Sequence, residues 1–147
     1  MAELTPAIVN AQSQPDFETE LEARLLTSLR ADSEQASNEP VRLAIRTKDG
    51  AVLAGLSGST SYGWLHVDMI WVAPEQRRRG YGRQLLDVAL NMAHSLGCHS
   101  AWLDTSSPVA CEIWKRLGFS EFGRLENALH QHPAGHRRWF LQKCPIL

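Results

Sequence analysis

The run VAPEQRRRGYGRQLL, residues 72–86, decides how this chain is read. It leaves an apolar segment, sets Arg77, Arg78 and Arg79 against Gly80, Tyr81 and Gly82, adds Arg83, and then enters an apolar helical repeat. A helix N-terminus presents amides that lack intrahelical partners, together with a partial positive charge. Glycines at 80 and 82 let the main chain curl round an anion with no side chain in the way, and the arginines put full charge at the same end. The combination suits a pyrophosphate held mostly by main-chain amides. A Walker A loop needs GxxxxGK[ST] and a dinucleotide fingerprint needs GxGxxG; neither run is present. The competing reading is a solvated basic loop that happens to precede a helix.

Composition limits the partners. The formal net charge is −1 over 147 residues, so no overall field draws in a polyanion. One basic cluster is also not the extended stripe that nucleic-acid binding uses, and no nucleic-acid partner is expected. With 44% hydrophobic and 21% charged residues, a single globular domain over 1–147 is expected. No apolar run approaches the ~20 residues of a membrane span. MAELTPAIVN lacks the zones of a signal peptide, so no membrane association and a cytoplasmic location are expected. Cys98, Cys111 and Cys144 are odd in number and have no CxxC spacing, which points to reduced thiols and not to a disulfide framework or a zinc site. Cys111 reads as a small buried filler.

Outward from the arginine run, periodicity sets the elements. WLHVDMIWV, residues 64–72, is the most strand-like segment. On the other side, Leu85, Leu86, Ala89, Leu90, Ala93 and Leu96 line one face of a helix that Gly97 ends. HSAWLD (99–104) returns as a strand, completing a right-handed parallel crossover. Ser107-Pro108 then caps and starts a helix through Leu117 with Gly118 as its stop, and FSEFGRL and HRRWFLQK read as final strands. Upstream, VRLAIRT and AVLAGLSGST flank Lys48-Asp49-Gly50, a hairpin signal, and a second turn falls near Tyr62-Gly63. Before a polar loop (32–40), residues 13–30 predict a helix N-capped by Ser13, with Phe17, Leu21, Leu25 and Leu29 on one face and Glu18, Glu20 and Glu22 solvated. PAIVN (6–10) reads as a short first strand. The order β-α-β-β-β-α-β-α-β-β predicts an α/β (α+β) fold: a mixed, mostly antiparallel sheet with one parallel pair and helices on both faces.

The run Val72–Leu86 resembles the acyl-CoA-binding signature of the GNAT superfamily of N-acyltransferases, in which an arginine or glutamine stands three before the first glycine, as Arg77 stands before Gly80. A second signature follows about thirty residues on: ACEIWKRLGF, residues 110–119, resembles the helix and strand start of the same family. The resemblance implies acetyl-CoA or another acyl-CoA as co-substrate, with its pyrophosphate on the amides of 77–83. The pantetheine arm would run beside the main chain of Ile70, Trp71 and Val72, in a slot where the family splays this strand from HSAWLD. Ser107 stands where the family often has an asparagine touching that arm. The family's usual acid, a tyrosine four residues before the glycine of GF, is here Trp114, and an indole N–H donates a hydrogen bond without releasing a proton. The resemblance further implies a small-molecule or protein amine acceptor and suggests a homodimer, which no residue demands.

Acyl transfer needs a neutral amine, a stabilised oxyanion and a protonated leaving thiolate. A lysine-like amine of pKa about 10.4 costs about 4–5 kcal/mol to deprotonate at pH 7, so a base is valuable. Strand alternation predicts His66, Asp68, Ile70 and Val72 on one face and Val67, Met69 and Trp71 on the other. Several family members carry a histidine or glutamate base at the places of His66 and Asp68. His66 is expected to be the base, with Asp68 orienting it, replacing it or binding a cationic substrate. A main-chain N–H near Ile70 is expected to meet the oxyanion. Satisfied polar residues on a half-exposed strand are the plainer alternative for His66 and Asp68.

His130, His132 and His136 lack carboxylate or cysteine company, so scattered loop histidines are expected and no metal. PAGHRRWFLQK resembles the closing loop and last strand of one group of small bacterial GNAT proteins, making His136 a second candidate for substrate contact. Trp64, Trp71, Trp102 and Trp139 fall on strands, where packing is the default. The expected activity is transfer of an acetyl group from acetyl-CoA to a primary amine by direct attack. The rival is a non-catalytic module of the same shape that senses acyl-CoA or pairs with another protein.

Overall fold

Turn chemistry builds the first half of the sheet. In the structure, a computed structural model describing residues 5–147, β1 (Pro40–Arg46) and β2 (Val52–Ser61) pair antiparallel across a turn where Gly50 takes φ +93°. β2 turns into β3 (Trp64–Val72) through Tyr62 and Gly63, both at positive φ (51° and 79°), the pattern that matches the right-handed twist of two-residue hairpins. A 3-10 turn (Pro74–Gln76) leads to α2 (Tyr81–Ser95), then β4 (Ser100–Thr105), α3 (Pro108–Arg116), β5 (Ser120–Glu126) and β6 (Arg137–Lys143). The six strands form one sheet in the order β1-β2-β3-β4-β6-β5. Every pairing is antiparallel except β3 with β4, which α2 joins as a crossover.

α2 packs on β1, β2 and β3, and α3 on β4, β5 and β6. Leu85, Leu86, Ala89, Leu90 and Ala93 of α2 join Leu65, Val67, Ala101, Leu103 and Leu141 of the strands and Cys111 and Trp114 of α3 in one buried core. Cys111, expected to fill space inside, is buried, as is Cys98, and burial pushes the Cys98 thiol up from its ordinary value.

Gln35–Leu147 is one compact unit, and the chain up to Glu34 forms another. In the latter, α1 spans Phe17–Asp32, starting later than expected. Pro15 is the reason, because a proline disfavours helical dihedrals in the residue before it. Asp16, not Ser13, sits at the N-cap and makes no side-chain cap bond. The expected strand at 6–10 does not form: these residues are extended or irregular and exposed, with no partner edge to supply ladder bonds. Glu20 pairs with Arg24 at 3.1 Å on the solvated face of α1.

One irregularity in β3 changes the expected alternation. Ser57 pairs with Met69 but Gly58 pairs with Val67, so Asp68 is an extra residue, a β-bulge. Before the bulge Leu65 and Val67 face the core; after it Ile70 and Val72 do, half-buried against the same cluster. Ile70 and Val72 therefore lie on the face opposite His66, correcting the single-face expectation, while Met69 and Trp71 point outward and are exposed. Gly58 is the residue that permits this. A Cβ there would stand 2.4 Å from the carbonyl oxygen of His66.

Candidate active site

β3 and β4 are paired over only three positions, Trp64–Ser100, Leu65–Ala101 and His66–Trp102. β3 continues to Val72 and β4 to Thr105, but past His66 and Trp102 no backbone pairing joins them among the described residues. The parallel pair opens into a fork, and His66 sits at its vertex.

Four side chains converge there from the face opposite α2 and α3. The imidazole of His66 stacks on the indole of Trp102, centroids 3.8 Å apart and planes within 6°. The bulge residue Asp68 brings Oδ1 to 2.8 Å from His66 Nδ1. A carboxylate at that distance favours the tautomer with its proton on Nδ1, which leaves the lone pair of the neutral ring on Nε2. Nε2 is shielded from solvent and has no hydrogen-bond partner. Asp104 Oδ1 lies 3.9 Å from it, and the other carboxylate oxygen of Asp104 faces Arg138 Nε of β6 at 3.7 Å. His66 and Asp68 are thus brought together as the sequence suggested. Trp102, Asp104 and Arg138 were missed, although HSAWLD was placed as the neighbouring strand; the His66–Trp102 register, once known, would have put Asp104 beside the fork.

The arginine run forms the loop between β3 and α2. Arg77 Nε donates to the Val72 carbonyl oxygen at 3.1 Å, tying the loop to the end of β3. Arg78 (φ +65°) and Gly80 (φ +82°) turn the chain through the left-handed region, and Gly80 is the N-cap of α2 with no side-chain cap bond. The first bond of the helix runs from Gln84 N–H to Gly80 O at 3.0 Å, so the amides of Tyr81, Gly82 and Arg83 have no partner within it. A Cβ on Gly80 would meet nothing within 4 Å, and one on Gly82 would meet only Val72 Cγ2 at 3.8 Å, an ordinary contact. The surface over both glycines is open. Arg78 and Arg79 are exposed; Arg83 lies 3.9 Å from Asp87, one turn along the helix.

The remaining expected contacts are spread more widely. Ser107 caps α3, accepting a hydrogen bond from Ala110 N–H at 3.1 Å. Trp114 is buried, edge-on to Phe119 at 5.2 Å, and belongs to the core. Tyr81 packs half-buried against the core, and Tyr62 OH takes a hydrogen bond from Gln35 at 2.8 Å in the β2–β3 turn. His130, His132 and His136 lie exposed between β5 and β6, and no group of three or more metal-ligating side chains forms among the described residues. No helix of the described residues is long and apolar enough to cross a membrane.

Residues 6–119 match the model of the acetyltransferase (GNAT) family. The chain belongs to that family. An acetyltransferase of Agrobacterium fabrum is 34% identical over 91 residues, 62% of this chain and 66% of the relative. The chain spans less than two thirds of the length of the curated relatives it matches. Two solved acetyltransferase structures are matched almost end to end. The crystal structure of an acetyltransferase from Bacillus cereus superposes with a TM-score of 0.75 at 27% identity, over 95% of this chain and 97% of that one. A protein of Agrobacterium tumefaciens assigned as an acetyltransferase gives 0.74 at 27% identity, over 98% and 99%. The family generally uses acetyl-CoA, and the open surface over Gly80 and Gly82 at the start of α2 leaves room for an anionic group there.

Proposed function

We propose that this protein transfers an acetyl group from acetyl-CoA to a primary amine by direct attack. The observation that carries the reading is the fork: a histidine at its vertex with Asp68 against Nδ1, on the strand whose far end meets a helix start with open amides and glycines. All of this apparatus lies within Gln35–Leu147.

When bound, acetyl-CoA supplies a thioester whose carbonyl carbon is open to a nucleophile and whose sulfur can leave. The amides of Tyr81, Gly82 and Arg83 and the guanidiniums of Arg77, Arg78, Arg79 and Arg83 would hold its phosphates. The unpaired edge of β3 near Ile70, Trp71 and Val72, and Ser107 across the fork, would flank its arm. His66 Nε2 takes the proton that the amine must lose, and Asp68 stabilises the imidazolium that results. A main-chain amide near Ile70, on the side of β3 freed by the fork, offers a hydrogen bond to the developing oxyanion. A C–N bond forms, the C–S bond breaks, and the departing thiolate takes its proton from solvent, since Trp114 is buried and has none to give.

The test is release of free thiol from acetyl-CoA, followed with a thiol reagent, over a panel of primary amines, with binding measured separately by calorimetry. Amine-dependent release supports the enzyme. Tight binding without turnover across the panel would favour an acyl-CoA sensor instead, and no binding at all would refute both.

A further inference from the structure

Along β4, Ala101 and Leu103 are buried in the core, so Trp102 between them points to the other face of the sheet. It is half-buried there and does not belong to that core. Its Cα partner in the parallel pair is His66, and theirs is the last backbone rung before the strands part. Neighbouring strands lie about 4.8 Å apart, close enough for two flat side chains on one rung to stack. The imidazole and the indole do so, with centroids 3.8 Å apart and planes within 6°.

What the stack does follows from how His66 is otherwise held. Asp68 Oδ1 lies 2.8 Å from Nδ1, and Nε2 has no hydrogen-bond partner. An imidazole held at one nitrogen can still turn about its Cβ–Cγ bond, because that torsion has a broad energy profile. Turning would lift Nδ1 off Asp68 and bring a ring carbon in its place. It would also drive the ring edge at the indole face, and edge-to-face rings need at least about 4.5 Å between centroids. The observed 3.8 Å leaves no room for that passage. We propose that Trp102 is a positioning residue for acetyl transfer: its indole stops the His66 ring from turning, so that Nδ1 stays on Asp68 and Nε2 keeps one direction. The inference rests on the reading of His66 as the base. Trp102 acts through the imidazole and not by holding the coenzyme.

The test compares Trp102→Leu, which keeps an apolar side chain without a flat face, with Trp102→Phe, which keeps the flat face. Histidine ring nitrogens are followed by NMR on the full chain in alkaline solution, where imidazole is neutral. Wild type and Trp102→Phe should show His66 Nδ1 and Nε2 resonances far apart, as one fixed tautomer gives. In Trp102→Leu the two should draw together as the ring leaves Asp68 and exchanges tautomers. On any amine that the wild type acetylates, Trp102→Leu should lower kcat at least tenfold while the Kd of coenzyme A, from calorimetry, stays within twofold. Trp102→Phe should stay within threefold of the wild-type kcat. A purely structural tryptophan would lower the urea midpoint and leave the resonances where they are. Separated resonances in Trp102→Leu overturn the proposal, as do equal losses of kcat in the two variants or a tenfold loss of coenzyme A binding in Trp102→Leu. Resonances already drawn together in the wild type overturn it with no variant at all. If no amine is acetylated, the enzymatic reading fails, while the resonances still decide whether Trp102 holds the ring.

Discussion

Gly82→Ala should make the protein more stable and its coenzyme A binding weaker. Gly82 lies in the first turn of α2, not at positive φ, and an added Cβ meets only Val72 Cγ2 at 3.8 Å. Nothing inside the protein requires glycine there. Alanine restricts the unfolded chain and suits a helix better, a gain of about 0.5–1 kcal/mol, with the lower figure favoured because the first turn is not the helix interior. For a chain of this size that raises Tm by about 1–4 °C. The new methyl group projects over the amides that would cradle the pyrophosphate. A phosphate oxygen must approach an amide nitrogen to about 2.9 Å, and a methyl carbon on the same residue holds it off. Loss of one charge-assisted hydrogen bond, about 1.5–3 kcal/mol, weakens binding roughly ten- to hundredfold. Differential scanning calorimetry and isothermal titration with acetyl-CoA read the two effects on one sample. Unchanged affinity in a stabilised Gly82→Ala protein would falsify the cradle. Gly80→Ala separates the causes. Its surroundings are equally open, but φ +82° makes any Cβ strained, so it should lose about 1 kcal/mol.

Other substitutions probe the fork and the core. Gly58→Ala sets a Cβ 2.4 Å from the His66 carbonyl oxygen, a backbone atom that cannot swing away, and should destabilise by about 1–3 kcal/mol in urea unfolding; an unchanged midpoint would mean that Asp68 does not bulge. Trp114→Phe keeps an aromatic ring against Phe119 and removes the indole N–H, so kcat should change less than about threefold; a hundredfold loss would show that the N–H takes part in the reaction. Cys144 is exposed while Cys98 and Cys111 are buried, and burial holds the Cys98 thiol neutral to higher pH, so one thiol of the native protein should react quickly with a disulfide reagent at pH 7 and three after unfolding.

Local chemistry was legible in the sequence wherever it depended on neighbours along the chain. The 64–72 strand, the Ser107 cap, the Tyr62-Gly63 turn and the start of α2 within RRRGYG all rest on φ preferences and on caps that act within a few residues, and each is found in the fold. The family signatures lie in those same segments, which is why His66, Asp68 and the glycine-arginine loop could be singled out. The strand expected at 6–10 failed for the complementary reason: its residues tolerate an extended chain, but a strand exists only where a partner edge supplies its hydrogen bonds.

Alternation along β3 shows the boundary between the two kinds of information. A period of two holds only while both strands advance together, and the extra residue at Asp68 is set by its pairing with β2 and by the bare Cα of Gly58 across the ladder. The sequence by itself determined which residues could hold an anion and which could carry a proton. Tertiary structure alone decided that Ile70 and Val72 turn to the core, that the parallel strands part at His66, and that Asp104 arrives beside Nε2. Those outcomes depend on register between segments far apart in the chain, and register is fixed by the packing of whole strands, not by the residues adjacent to any one of them.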